Sequence, residues 1–280
     1  MNKLILANGV EMPLMGIGTN WMNFKELKNI ILAGLKAGFR AIDTARDYGN
    51  EAIVGAAIAS ALNELGMSRN EIFITTKIGN SQQRKGDIFE ELEISLQNLQ
   101  TDYIDLWLMH WPYPDFYIST WKKMVDLYRN TNKIKAIGVA NYEVRHLEKL
   151  RELKNTIVPM VNQIEFHPLR TANQLHQYMQ FHGIKMQAYA PLCRLIQPLK
   201  ESKVVNDLSK KYNKSAGQII LRWHLQQGDV MPIFKSYKPN RFQENIDIFD
   251  FTLTLEELKN INALDQDYKY HLASSSCPGY

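Results

Sequence analysis

Short apolar runs alternate with helical stretches eight times along this chain, and no other feature narrows its fold as far. The runs are Leu14–Gly16, Ala41–Asp43, Ile72–Thr76, Ile104–Met109, Lys135–Val139, Val161–Glu165, Lys185–Tyr189 and Val230–Phe234. Being short, mostly apolar and divided by helical segments, they read as strands in βαβα connectivity. The first helix carries Leu27, Ile30, Ile31, Gly34 and Leu35 at the spacing of one face, and Gly38 ends it. Others are expected at about Asn50–Leu65, Gly86–Leu99, Val144–Leu153 and Asn173–His182, with one or two between Val204 and Gln227. Ahead of them, Leu4–Leu6, Asn8-Gly9 and Val10–Met12 predict a hairpin with a type I′ turn. With no composition break, long linker or low-complexity segment, the pattern predicts an α/β fold, a (β/α)8 TIM barrel preceded by that hairpin. The chain 1–280 then forms a single barrel domain, with 268–280 as a C-terminal tail near the pocket. A doubly wound sheet is disfavoured because Gly16-Ile17-Gly18 lacks the third glycine of a dinucleotide fingerprint.

Composition removes several function classes. Apolar residues are 45% and charged residues 22% of the 280, values of an ordinary globular protein. The net charge of +4 includes no Lys/Arg run longer than two, which argues against a nucleic-acid groove. Cys193 and Cys277 stand alone, so neither a disulfide framework nor a zinc site is expected. The apolar part of the N-terminus is too short for a signal peptide and no stretch approaches a membrane span, so the chain reads as cytoplasmic. No P-loop, HExxH, GxSxG or EF-hand pattern occurs, and no metal is expected.

In a barrel the reacting groups belong just past the strands' C-terminal ends. Asp43, Lys77 and His110 end the second, third and fourth strands, and Tyr48 lies in the loop after Asp43. Neighbouring strands are ~4.8 Å apart, so these side chains can meet over one pocket. A Lys77 ammonium would stabilise a Tyr48 phenolate and draw its pKa toward neutrality, Asp43 would hold Lys77 charged, and a neutral His110 would hydrogen-bond a carbonyl oxygen. Singly, each has a plainer reading: a helix cap, a rim lysine, a structural histidine, a packing aromatic. Jointly they point to catalysis, with the reaction open, since a barrel lysine such as Lys77 can also form a Schiff base in a lyase.

Gly38-Phe39-Arg40-Ala41-Ile42-Asp43-Thr44-Ala45-Arg46-Asp47-Tyr48-Gly49-Asn50-Glu51 resembles the signature of the aldo-keto reductase family. Thr76-Lys77, Leu108-Met109-His110-Trp111-Pro112, Gly138-Val139-Ala140-Asn141-Tyr142, the run from Val161 to Pro168, Ala188-Tyr189-Ala190-Pro191-Leu192, and Lys235-Ser236 with Arg241, Glu244 and Asn245 follow in family order. The likeness is to bacterial-type members with a short C-terminal tail. It implies that Tyr48 is the general acid in reducing aldehydes or ketones, that Lys77 and Asp43 tune it, and that His110 orients the carbonyl. It further implies that Tyr189 stacks on the nicotinamide, that Asn141 and Gln163 hold its carboxamide, and that Thr19, Asn20, Asp43, Pro191 and Leu192 complete the cofactor contacts. Lys235, Ser236 and Arg241 follow the last two strands, where barrels often hold phosphate, and suit a 2′-phosphate. NADPH/NADP+ is therefore expected over NADH, with Glu244 and Asn245 facing the adenine. Trp21 and Trp111, with Tyr48 and His110, would line the substrate pocket. Ala140 and Ala190 stand where the family usually has serine, each removing a hydroxyl near the cofactor. The expected partner is a small aldehyde or ketone and the expected state a monomer. A nucleotide-sensing binding protein of the same fold is the alternative from another class.

Overall fold

The protein is described here by a computed structural model covering residues 3–271. A short antiparallel hairpin, β1 (Lys3–Ile5) and β2 (Glu11–Pro13), precedes eight parallel strands. These are β3 (Gly16–Gly18), β4 (Ala41–Asp43), β5 (Phe73–Ile78), β6 (Leu106–Met109), β7 (Ile137–Ala140), β8 (Val161–Glu165), β9 (Lys185–Tyr189) and β10 (Val230–Phe234). They follow one another around a closed barrel, with β10 paired to both β9 and β3, and helices lie between them. This is the (β/α)8 barrel expected from the alternation.

Four strands differ from expectation at their ends. The first runs Gly16–Gly18 rather than Leu14–Gly16, because its pairing register is set by Gly16 against Ala41 and Gly18 against Asp43. A Cβ on Gly16 would come within 2.8 Å of the Met231 side chain, so this strand carries glycine where apolarity alone predicts something larger. The third strand continues two residues further, to Ile78, placing Lys77 inside it; the fourth starts at Leu106 and the fifth runs Ile137–Ala140.

The hairpin is present, but its turn is not type I′. Gly9 has φ +86 while Asn8 stays in the ordinary region; the Gly9 N–H bonds Leu6 O and the Leu6 N–H bonds Val10 O, both at 2.9 Å. That is a three-residue loop with glycine in the left-handed position, the next commonest hairpin. It carries Met12, fully buried, to 3.5 Å from the Gln187 amide inside the barrel.

The helix at Phe24–Ala37 buries the expected face and is fixed at both ends, by an Asn23–Glu26 capping box and a left-handed Gly38. Each aliphatic side chain it buries contributes about 1.5–3 kcal/mol. Helices Glu51–Leu65, Ile88–Leu99, Val144–Arg151, Asn173–Phe181, Lys203–Tyr212 and Ala216–Leu225 fall where expected. Those at Asn80–Lys85, Tyr117–Asn130, Gln197–Lys200, Asn240–Ile246 and Leu255–Asn262 were not foreseen. Tyr117–Asn130 does bury Tyr117, Thr120, Trp121, Met124 and Val125 at helical spacing, a stripe masked by its threonine and by the surrounding lysines.

Candidate active site

Asp43 ends β4 and pairs in register with Thr75, so Lys77 lies two residues further along β5. At ~3.3 Å per residue its long side chain can bend back over Asp43. The Lys77 ammonium donates to Asp43 Oδ1 at 2.9 Å, Asp43 Oδ2 at 2.8 Å, the Thr44 carbonyl at 2.8 Å and the Tyr48 hydroxyl at 3.1 Å. Lys77 is fully buried and Asp43 nearly so. Asp43 also accepts from the Gln163 amide at 2.8 Å, and Gln163 in turn donates to Gln187, which donates to Thr75. A polar chain through the barrel interior thus fixes the carboxylate. Tyr48 sits on a 3-10 turn, Arg46–Tyr48, whose N-terminal carbonyl at Ala45 accepts the Tyr48 N–H.

Burial alone would depress the Lys77 ammonium, but the Asp43 carboxylate and then Tyr48 outweigh it and hold Lys77 above its ordinary value. A protonated amine has no lone pair to attack a carbonyl, so the pairing with Asp43 disfavours the lyase alternative. The Tyr48 phenol does not follow expectation. Burial raises it by more than Lys77 lowers it, with Asp43 adding to the rise, so the group stays protonated at neutral pH. The lysine's effect is present as foreseen; desolvation is the larger one.

His110 follows β6, its N–H bonded to Ile78 O at 2.9 Å, and its ring meets the Tyr48 ring edge-on with centroids 5.7 Å apart. Burial and the Lys77 charge hold it below the ordinary imidazole value, against the pull of Asp47, so it is neutral near pH 7. Nδ1 comes within 3.2 Å of Asp47 Oδ2 but off the line of a hydrogen bond. The neutral ring carries one proton, and with that proton on Nε2 the imidazole can donate into the cavity.

These groups open on a cavity of about 410 Å³ at the C-terminal mouth of the barrel. Of the residues anticipated for the cofactor, Thr19, Asn20, Asp43, Asn141, Gln163, Tyr189, Pro191, Leu192 and Lys235 line it. The Tyr189 hydroxyl donates to Asn141 Oδ1 at 2.9 Å and the Asn141 amide donates to the His110 carbonyl at 3.0 Å. Thr19 spends its hydroxyl on the Asp43 carbonyl at 2.8 Å. Asn20 Oδ1 is buried without a partner, an acceptor kept for a donor not supplied by the protein. Ser236, Arg241, Glu244 and Asn245 lie outside the cavity wall: Arg241 Nη1 donates to both Glu244 carboxylate oxygens at 2.8 and 2.7 Å, Ser215 donates to the same carboxylate, and the Ser236 hydroxyl donates to the Lys238 carbonyl. Trp111 lines the cavity, whereas Trp21 is 81% exposed and does not.

Arg194, which was not anticipated, also lines the cavity, as do Tyr270 and His271 at the start of the tail expected near the pocket, neither of which was singled out as a site residue. Tyr270 and His271 reach it because Glu165, at the end of β8, accepts their backbone N–H groups at 2.5 and 2.8 Å. Burial would raise this carboxyl, but His167 and those two N–H groups outweigh it and keep Glu165 ionised. Arg170 binds Asp267 at 2.7 Å and holds the preceding residues. Cys277 and Tyr280 lie outside the described residues.

A closed parallel barrel whose C-terminal mouth holds a buried lysine–carboxylate pair, a phenol and a neutral imidazole is the architecture of a barrel enzyme built for proton transfer. The model of the aldo/keto reductase family matches residues 14–266, and the chain belongs to that family. It is 45% identical over 264 residues to the glyoxal reductase of Bacillus subtilis (strain 168), covering 94% of this chain and 92% of that protein. It is 41% identical over 263 residues to the methylglyoxal reductase DkgA of Escherichia coli (strain K12), covering 93% and 92%. Among solved structures it resembles the Bombyx mori aldo-keto reductase in complex with NADP, with a TM-score of 0.89 and 32% identity over 96% of this chain and 94% of that one. The protein is thus an oxidoreductase acting on carbonyl groups.

Proposed function

We propose that the protein reduces small aldehydes and ketones to alcohols with NADPH, Tyr48 supplying the proton. The observation that carries this reading is the buried Lys77 ammonium, held by Asp43 and set 3.1 Å from the Tyr48 hydroxyl on the cavity wall. The cavity fits an anionic dinucleotide: Asn20 offers an unpartnered buried acceptor, Tyr189 an aromatic ring, and Lys235 a positive charge. When bound, NADPH supplies the hydride. Tyr48 keeps its proton at neutral pH and releases it from the hydroxyl to the carbonyl oxygen. Lys77 stabilises the phenolate left behind, and Asp43 keeps Lys77 charged and aimed. His110, neutral, presents Nε2–H to the same oxygen and sets the angle of the carbonyl. Asn141, Gln163 and Tyr189 would hold the nicotinamide and Lys235 would meet the 2′-phosphate from the cavity wall; Ser236 and Arg241 would join it, and Glu244 and Asn245 would face the adenine, from beyond that wall.

Relatives named for glyoxal and methylglyoxal support small carbonyl compounds as substrates. Trp111 contributes an apolar wall suited to them. Among the described residues no helix is long and apolar enough to cross a membrane; a monomer in the cytoplasm is the reading we adopt from composition. The test is the loss of NADPH absorbance with a panel of aldehydes. Turnover that depends on both aldehyde and NADPH supports the assignment; tight NADPH binding without turnover on any aldehyde refutes it in favour of a nucleotide-sensing protein.

A further inference from the structure

Arg194 shares the cavity wall with Tyr48 and His110, in the loop after β9. The other full charges at this wall have a partner or a proposed one: Asp43 pairs with Lys77, and Lys235, which donates to the Asn20 carbonyl at 2.9 Å and the Tyr237 hydroxyl at 3.1 Å, is the cation proposed for the 2′-phosphate. Among the described residues Arg194 makes neither an ion pair nor a hydrogen bond; its guanidinium lies over the Tyr270 ring, 5.4 Å from the centroid. The backbone that presents it is constrained. Cys193, Arg194 and Leu195 have φ of +43, +49 and +49 without a glycine among them, and the turn is closed by Cys193 N–H to Ala190 O at 2.8 Å and Leu195 N–H to Leu192 O at 2.7 Å. Such runs persist only where surrounding structure imposes them, and they cluster at ligand-holding sites. The ring beneath the guanidinium is fixed as well, since Glu165 holds the Tyr270 and His271 backbone. Stacking on an aromatic face leaves the edge of the guanidinium fork, with its paired N–H donors, unused.

We propose that Arg194 is the oxyanion receptor of this pocket, and that the reductase accepts carbonyl substrates bearing a carboxylate at the far end from the reacting group. This rests on the carbonyl-reductase reading and names its substrate class. A guanidinium meets a carboxylate through two parallel N–H bonds and rejects the uncharged analogue, because that analogue leaves the donors unpaired. The diphosphate of a dinucleotide presents the same oxyanion chemistry, so the experiment has an arm for each source.

Butanal and 4-oxobutanoate share a carbon chain and differ in the terminal carboxylate. Their kcat/KM values are measured for the wild type, Arg194→Met, Arg194→Lys and Tyr270→Leu, with the NADPH dissociation constant of each protein read from cofactor fluorescence and folding checked by circular dichroism. Wild type should prefer 4-oxobutanoate. Arg194→Met should lose ~10–100-fold on that substrate, the range for a charged hydrogen-bonded pair, while changing less than ~2-fold on butanal and leaving NADPH affinity unaltered. Arg194→Lys should fall between, and Tyr270→Leu should lose part of the same selectivity. Equal losses on both aldehydes with weakened NADPH binding would assign the receptor to the diphosphate and overturn the substrate class. Unchanged kinetics and affinity in Arg194→Met overturn the receptor itself. If wild type turns over neither aldehyde, the reductase reading fails first, and the NADPH titrations still report whether Arg194 meets an anion.

Discussion

Replacing Lys77 by Met probes the buried ion pair at the centre of the site. The substitution keeps most of the side-chain volume and removes a fully buried ammonium with four acceptors around it. Asp43, nearly buried at the edge of the cavity, would keep only the Gln163 amide as a protein donor. Removing one partner of a buried pair costs about 3–5 kcal/mol, because the remaining charge is left uncompensated. The Tyr48 hydroxyl and Thr44 carbonyl each lose a donor too, worth roughly 1 kcal/mol apiece. Asp43 limits the total by taking up a proton at about 1.4 kcal/mol per unit of pKa shift. A net loss of about 3–5 kcal/mol is therefore expected in urea unfolding followed by circular dichroism. Asp43→Asn in the same background should restore about 2 kcal/mol, since the orphaned charge is gone. A loss below about 1 kcal/mol, or no recovery in the double variant, would refute the claim that this pair is a tightly coupled buried unit.

Three further outcomes follow from separate parts of the structure. His224 is buried, its Nε2–H donating to the Pro191 carbonyl at 3.0 Å, and burial pushes its pKa down to about 3. It takes up a proton on unfolding below its ordinary value of ~6.5, so its contribution is complete above that pH and lost as pH falls toward the folded value, with a slope of up to ~1.4 kcal/mol per pH unit; His224→Gln should flatten the acid limb of a stability–pH curve, and an unchanged limb contradicts this. Gly55→Ala would place a Cβ 2.1 Å from the Asn98 carbonyl and 2.7 Å from Leu99 Cα, so the Glu51–Leu65 helix must shift; a melting study should show at least ~1–3 kcal/mol of destabilisation, and a neutral result would mean the helices pack less closely than described. Lys235→Met and Arg241→Met should weaken NADPH binding ~10-fold or more and NADH binding little, which titration of both cofactors decides; equal losses remove the argument for a 2′-phosphate.

The barrel was legible because its strands are apolar and its helices carry regular stripes, and both periodicities survive in one sequence. What the sequence hid was local. β3 contains two glycines, of which Gly16 is required by the Met231 side chain while the register with β4 sets the place of both, and no hydropathy pattern records that. Asp43, Tyr48, Lys77 and His110 were readable from their positions at strand ends, and the structure brings them together. The direction of the Tyr48 shift was not readable, since it depends on how much desolvation opposes one ammonium, a matter of depth rather than order along the chain. Arg194 escaped altogether, and the tail was expected near the pocket without Tyr270 and His271 being singled out. The last two reach the cavity only through Glu165 and the Arg170–Asp267 pair, contacts between residues about a hundred positions apart in the chain. Trp21 shows the converse: its place in a family motif suggested the pocket, but with φ +60 it sits at the surface.

The central claim is that the Tyr48 hydroxyl delivers the proton, and Tyr48→Phe tests it most directly because it removes one oxygen and keeps the ring. NADPH affinity by fluorescence titration and single-turnover reduction of methylglyoxal by enzyme preloaded with NADPH should be measured on wild type and variant together. Cofactor affinity should match the wild type while the rate of NADPH oxidation falls by ~10²–10⁴-fold, the usual worth of a positioned general acid. A variant that binds NADPH normally and oxidises it at close to the wild-type rate would contradict the account.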